Sequence, residues 1–383
     1  KFADGVSFTS RKDDRADAID DAMRHRLYRV NDYPKTEIVE VEKKAEIKKS
    51  VLSSKLEGFV NEVSILLDEN KTMNNPQIEK IADTYEIKDK NLIKELVELA
   101  IVLKAREIGQ TNVGTDLAYK KIVTLYQTQP NLSHRTSESI LKQQYSTSAP
   151  LAFLMNKYIQ FNNKSVNEKI NEGKQSEITY FEPSAGSGLL TTATDTKNFV
   201  VNEIDSIRFR NLEYQGYKEV LSKDASVPFK GLENSFDGII TNPPFGATDM
   251  PYMFGKFAIN SMEQLMALIA LQTMKDDGKG AIIIGGHLTY DEKGRITAGK
   301  NRIFYNYLHH HYNVEDCINI SGQKLYSRQG TGFNVRAILI NGRKETPVGF
   351  APILDSNLEA TDVMSNKIIS TFDDLYTRFE KSF

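Results

Sequence analysis

The residues with the clearest chemical promise are Asn242-Pro243-Pro244-Phe245, which end the apolar run Asp237-Gly238-Ile239-Ile240-Thr241. Each proline lacks an N–H and fixes φ, so a strand must stop at Asn242 and a stiff loop must follow. That loop offers an amide side chain, proline carbonyls with no competing N–H, and an aromatic ring. Two acceptors and a flat face suit a planar ring that carries an NH2 group. The same four residues also read as an ordinary turn with a core phenylalanine.

A second set lies upstream. Glu182-Pro183-Ser184-Ala185-Gly186-Ser187-Gly188 follows a short strand over 178–181 and precedes Leu189-Leu190. A strand entering a glycine-rich turn and then a helix is a nucleotide-type binding loop, because glycine lets the backbone approach a ligand and the helix start offers donors. Glu203 ends the next strand, over 199–205, about 20 residues on, where an acid accepts both hydroxyls of a ribose. A plain surface acid at a strand end is the alternative. Asp224, at the tip of a strand over 220–225, is placed to accept from an adenine amino group. Tyr145-Ser146-Thr147-Ser148-Ala149-Pro150 opens an apolar helix over 151–159. Pro150 suits its first turn, Thr147 or Ser148 can cap it, and the free N–H groups there can bind a carboxylate.

These residues need an alternating frame to hold them. Strands are expected over 178–181, 199–205, 220–225, 236–241, 281–286, 314–320 and 335–341, with helices over 257–274 and 303–310 among the connections. In an open α/β sheet of this kind, ligands bind at the carboxyl ends of the strands. Two glycine-containing basic loops flank that edge. Residues 287–302 carry Lys293, Arg295, Lys300 and Arg302, and residues 322–332 carry Lys324, Tyr326 and Arg328. The six cations are expected to contact phosphates, which position a duplex without reading it. The alternative is that both loops are solvated turns. His309-His310-His311 has no acidic or cysteine partner at ligand spacing and reads as a polar helix end; no metal is expected.

Residues 36–110 show helical stripes (Leu52, Leu56, Phe59, Val63; Leu92, Leu96, Leu99) with no recognisable chemistry, and Asn74-Asn75-Pro76 looks like a helix start. Residues 1–35 read as a charged surface helix. The expected division is a helical region over 1–110, a catalytic domain over 111–349 and a tail over 350–383. With 383 residues, a net charge of −2 and 40% hydrophobic residues, the chain is long enough for a large domain and a smaller one. One cysteine, Cys317, excludes an internal disulfide and fits a reducing cytoplasm. No apolar run approaches the roughly 20 residues that span a bilayer. The chain begins at Lys1 without a signal-peptide pattern and reads as a fragment of something longer.

The order of these motifs resembles the seven-stranded class I S-adenosylmethionine-dependent methyltransferase fold, an α/β Rossmann-like mixed sheet, here with an N-terminal helical domain. Within that fold, Asn242-Pro243-Pro244-Phe245 resembles the DNA adenine-N6 methyltransferases, in the subgroup whose cofactor half precedes the catalytic half. The resemblance covers about residues 140–341 and extends, more loosely, to the methyltransferase portion of large phage or mobile-element polypeptides that also carry helicase regions. It implies that Tyr145, Ser146 and Thr147 touch the methionine part of S-adenosylmethionine. Glu182, Ala185, Gly186 and Gly188 would form the wall beneath the cofactor. Glu203 would bind the ribose, Ile204 would pack on the adenine and Asp224 would accept from its amino group. Asn242 and the Pro243 carbonyl would hold the target amine, with Phe245 and Tyr326 on opposite faces of the base.

The implied chemistry suits these residue types. An adenine N6 lone pair is delocalised and nucleophilically poor; two acceptors on its N–H bonds bias it toward sp3 and aim it at the sulfonium methyl. Asn242 is neutral, so positioning and electrostatics carry the rate rather than a strong base. A base in a duplex must be flipped out to reach such a pocket. Only about 40 residues follow the seventh strand, so target recognition falls to the N-terminal helices, the basic loops, further domains or a partner. RNA bases or protein glutamine amides also offer NH2 groups to such a loop, and a non-catalytic DNA-binding module of a restriction, defence or helicase machine is the reading from another class.

Overall fold

The computed structural model describes residues 52–68, 72–111, 113–132, 146–329, 332–354 and 367–383. The expected helix over 1–35 and Tyr145 lie outside them. Four helices come first: α1 (Ser54–Asp68), α2 (Asn75–Thr84), α3 (Lys90–Gly109) and α4 (Thr115–Thr128). The start of α2 is the expected one. Asn74 accepts from the Gln77 N–H, the Gln77 side chain accepts from the Asn74 N–H, and proline stands in the first turn. Then come α5 (Ala149–Gln160) and α6 (Lys164–Asn171), which lead into the sheet.

The sheet strands are β1 (Tyr180–Glu182), β2 (Phe199–Asn202), β3 (Glu219–Leu221) and β4 (Phe236–Thr241), with α7 (Ser206–Tyr214) between β2 and β3. An antiparallel hairpin follows, β5 (Ala247–Phe254) and β6 (Phe257–Ser261), then α8 (Met262–Thr273), β7 (Met274–Gly285), α9 (Lys300–His311), β8 (Tyr312–Ile320), α10 (Gly322–Leu325), β9 (Val335–Arg343), β10 (Ile368–Ile369) and α11 (Phe372–Glu380). The order across the main sheet is β3-β2-β1-β4-β7-β9-β8-β10. Every neighbouring pair is parallel except the two that involve β9. One reversed strand inserted between the fifth and sixth parallel ones is the class I methyltransferase sheet. It carries eight strands rather than the seven expected, the extra one being the two-residue β10.

The strand interiors are apolar on both sides because helices cover both faces. Alternate residues go to opposite cores: Tyr180, Ile240, Ala281, Ile283, Ala337 and Leu339 to one, Phe181, Ile239, Ile282, Ile284, Ile338 and Ile340 to the other. The first core also takes Phe59 and Leu96 from the N-terminal helices and Leu375 and Phe379 from α11. One buried cluster thus runs across both expected boundaries, at 110 and at 349.

Two elements differ from expectation. The helix expected over 257–274 begins only at Met262, and the residues before it return as β6. Phe257, Ile259 and Ser261 are buried while Asn260 is exposed, a two-residue alternation that precedes the helical spacing. The helix expected after the glycine loop is a single 3-10 turn, Leu189–Thr191. The following threonines fold back on the chain: Thr191 Oγ1 donates to the Gly188 carbonyl and Thr192 Oγ1 to that of Leu189. Such local bonds compete with a longer helix.

Candidate active site

The carboxyl ends of β1, β2 and β4 open on one cleft of about 460 Å³, within the size range of a small-molecule site. Its wall begins with the glycine loop. The Ala185 N–H donates to the Asn202 carbonyl (2.9 Å), and the Gly186 N–H donates to Glu203 Oε2 (2.8 Å). Gly188 has φ +91°, and a Cβ there would lie 2.3 Å from the Tyr217 hydroxyl, so only glycine fits. Glu203 Oε1 accepts from the Asp205 N–H (2.8 Å). Glu203 therefore pins the loop while its carboxylate lines the cleft. Ile204 beside it is 67% exposed, a flat apolar surface at the cleft rim. Asn202 staples the neighbouring turn, donating to the carbonyls of Pro183 and Lys223 and accepting from the Lys223 N–H. That holds Asp224, whose Oδ1 accepts from the N–H and hydroxyl of Ser226.

Glu182 ends β1 on the cleft floor. It is 1% exposed and its Oε2 has no hydrogen-bond partner among the described residues. Burial, then the charge of Glu203, pushes its carboxyl well above the ordinary carboxylate range. Across the floor, the Asn242 amide N–H donates to Thr147 Oγ1 at 3.0 Å. Pro243, Pro244 and Phe245 line the same cleft, with Gly285 beneath the Phe245 ring. The loop's exit is fixed too: the Gly246 N–H donates to Glu263 Oε2 and its carbonyl accepts from the Met262 N–H (2.9 Å).

Of the expected cofactor and amine residues, Ser146, Thr147, Glu182, Ala185, Gly186, Glu203, Ile204, Asp224, Asn242, Pro243, Pro244 and Phe245 all border the cleft. Gly188 supports it from behind. Tyr326 does not fit its expected place. It is 1% exposed, packed in the core just after α10, and its hydroxyl is buried without a partner, so it faces no base across from Phe245. The basic loops also differ. Arg295 and Arg302 both bind Asp291 (2.9 Å each), and Lys300 donates to Ser261 Oγ beside Glu263. Against a desolvation cost, hydrogen bonds from the Arg295 backbone and side chain hold the Asp291 carboxyl down at about 2. Arg328 donates to the Gln129 carbonyl, and its own N–H binds the Tyr126 hydroxyl. Only Lys293 and Lys324 of the six are exposed with no ion pair among the described residues. The other four have partners within the chain, although Arg295 and Lys300 remain about half exposed.

The N-terminal helices, expected to carry no chemistry, supply part of the wall. Glu98 of α3 lines the cleft, accepting from Ser146 Oγ (2.6 Å) and Ser187 Oγ (3.0 Å). Glu95, one turn earlier, binds Arg208 of α7 through both oxygens (2.8 and 3.2 Å). Burial weakens that guanidinium's hold on its proton, but the charges of Glu95 and Glu98 more than offset it and shift its pKa upward. The signal was present: two acids three residues apart interrupt the apolar stretch from Leu92 to Val102, and a buried acid demands a partner.

No family model and no curated protein matches the sequence. Among solved structures, the chain is similar to a protein described as a modification subunit of a type I restriction enzyme from Vibrio vulnificus, at 11% identity and TM-score 0.42, over 69% of this chain and 59% of that one. It is also similar to the M protein of the type I restriction enzyme EcoKI, at 11% identity and TM-score 0.38, over 76% and 68%. A chain of a type I restriction–modification system matches at 14% identity and TM-score 0.39, over 94% and 74%. The chain thus spans about three-fifths of the first of these proteins. Likeness at this level assigns no role to any residue. Among the described residues, no helix is long and apolar enough to cross a membrane.

Proposed function

We propose that this chain transfers the methyl group of S-adenosylmethionine to the N6 amino group of adenine in DNA. The observation that carries the reading is the meeting, in one cleft, of Glu182, Glu203 and Asp224 with the Asn242-Pro243-Pro244-Phe245 loop. The donor set fits such a cofactor. Gly186 borders the cleft without a side chain, Glu203 offers acceptors for ribose hydroxyls, and buried Glu182 has an oxygen without a partner among the described residues. Three carboxylates (Glu98, Glu203, Asp224) and the carboxyl of Glu182 line the cleft against two cations (Arg208, Lys223), a balance suited to a ligand with sulfonium and ammonium groups. Bound there, the cofactor supplies an electrophilic methyl.

The chain's own residues then do the positioning. Asn242 Oδ1 and the Pro243 carbonyl accept the two N–H bonds of the target amine and bring its lone pair out of the ring plane. Phe245 gives the base a face to stack on. Holding reactants in such a geometry replaces general-base catalysis, and the proton leaves after transfer. Further domains or subunits are assigned target recognition, since four of the six loop cations are engaged within the chain.

Expression of the intact protein, followed by sequencing of DNA for N6-methyladenine, tests the proposal. Transfer of labelled methyl to RNA or to protein amides with none to DNA would replace it with the other amino-methyltransferase reading.

A further inference from the structure

The segment 146–147 is strapped on both sides. Ser146 is tied to Glu98 of the N-terminal helix α3, and the same carboxylate holds Ser187 of the glycine loop. Thr147 is only 5% exposed, and its hydroxyl is the partner of the Asn242 amide at 3.0 Å. The resemblance implied that Thr147 touches the methionine part of the cofactor; the bond its side chain makes within the chain is a different one. It is a contact to the residue that must receive the target amine.

Amide orientation matters here because the two ends of an asparagine side chain have opposite hydrogen-bonding character. With its NH2 committed to Thr147, Asn242 has its carbonyl oxygen left over, without a partner among the described residues. Turned by 180°, the same side chain would offer a donor to an amino group that is itself a donor. We propose that Thr147 is a positioning residue for transfer: its hydroxyl, accepting from the Asn242 NH2, holds the amide so that Oδ1 receives the target NH2, and Glu98 steadies the segment from the N-terminal helices through the neighbouring Ser146. The inference rests on the amino-methyltransferase reading. It makes α3 part of the reaction centre rather than an appended module.

Thr147→Val removes the hydroxyl at constant shape; Thr147→Ser retains it. The expected result is a kcat about 10-fold or more lower in Thr147→Val, from loss of a positioned acceptor. Affinity for S-adenosylhomocysteine, by calorimetry, should stay within about twofold, and Thr147→Ser should restore most of the rate. An independent readout needs no substrate. With 15N-asparagine labelling, the Asn242 side-chain amide signal, assigned by its loss in Asn242→Ala, should shift in Thr147→Val and return toward wild type in Thr147→Ser. A Thr147→Val protein with wild-type kcat, an unmoved Asn242 signal, or a loss confined to cofactor affinity would overturn the assignment. Absence of transfer by the wild-type chain to any amine would instead sink the methyltransferase reading, while the amide signal would still decide whether Thr147 orients Asn242.

Discussion

Replacing Arg208 by Met tests the joint between the N-terminal helices and the sheet. Arg208 Nε and one Nη bind Glu95 at 2.8 and 3.2 Å, and the other carboxylate, on Glu98, lies 3.9 Å away. All three side chains are 6% exposed or less. Methionine keeps most of the volume but leaves two acids buried with no cation between them. Breaking a buried pair from one side costs about 3–5 kcal/mol, because the surviving charge has lost its partner. At roughly 2–4 °C per kcal/mol for a large domain, the melting temperature should fall by about 6–20 °C. The exposed pair Lys120–Asp116, 65% and 56% exposed, is the control, and Lys120→Met should leave stability nearly unchanged. Adding Glu95→Leu to Arg208→Met should recover much of the loss, since an apolar replacement of the whole pair is often neutral. Urea unfolding of the four proteins measures these differences. If Arg208→Met cost no more than Lys120→Met, the cluster would not hold α3 to α7, and the argument that the N-terminal helices build the cleft would fail.

Glu182 sets a pH dependence. Its folded carboxyl titrates above the ordinary 4.5, so the folded chain holds a proton that the unfolded chain releases. Stability should therefore fall as pH rises from about 4.5 through the folded value. Glu182→Gln should flatten that fall in melting temperature while weakening cofactor binding. Asn242→Ala should lower methyl transfer by on the order of 100-fold or more with cofactor affinity nearly unchanged, in a single-turnover assay. Glu203→Ala should weaken S-adenosylmethionine binding by roughly 1.5–3 kcal/mol by calorimetry. Six phosphate contacts are not to be expected from the basic loops: with Lys293 and Lys324 alone unpaired, log affinity for DNA should fall against log salt with a slope near about −1.8. A slope of twice that size would mean that the paired arginines open on binding.

The sheet was legible because its strands are buried on both sides and therefore continuous in the sequence, as at Ile282, Ile283 and Ile284. The cleft was legible because glycine, proline and a strand-end acid each leave a local mark. What escaped depends on contacts distant in sequence. Arg208 and Glu95 are far apart along the chain and meet only through folding. Tyr326 has the residue type of a stacking ring, and type alone does not say whether a side chain turns inward. Arg295 and Arg302 read as free cations because Asp291, which binds both, is one of two adjacent acids in a basic run. Helix α11 was missed because it carries no motif. Its two buried residues, Leu375 and Phe379, lie one turn apart, and Arg378 is anchored by both oxygens of Asp316 on β8 (2.6 and 2.7 Å).

The hairpin of β5 and β6 leaves the Asn242-Pro243-Pro244-Phe245 loop at Gly246 and returns at Met262, and a hydrogen bond of 2.9 Å joins those two points. The segment is thus a closed excursion: its ends meet before and after it, and the sheet's register does not depend on what lies between. Doubling the length of such an excursion costs only about 0.6 kcal/mol in closure entropy. Descent with insertion can therefore enlarge the surface stretch 247–253, close to Asn242, while Phe254, Phe257 and Ile259 stay in the core. Variation among natural homologues in what they recognise, with the chemistry unchanged, has a ready place to accumulate there.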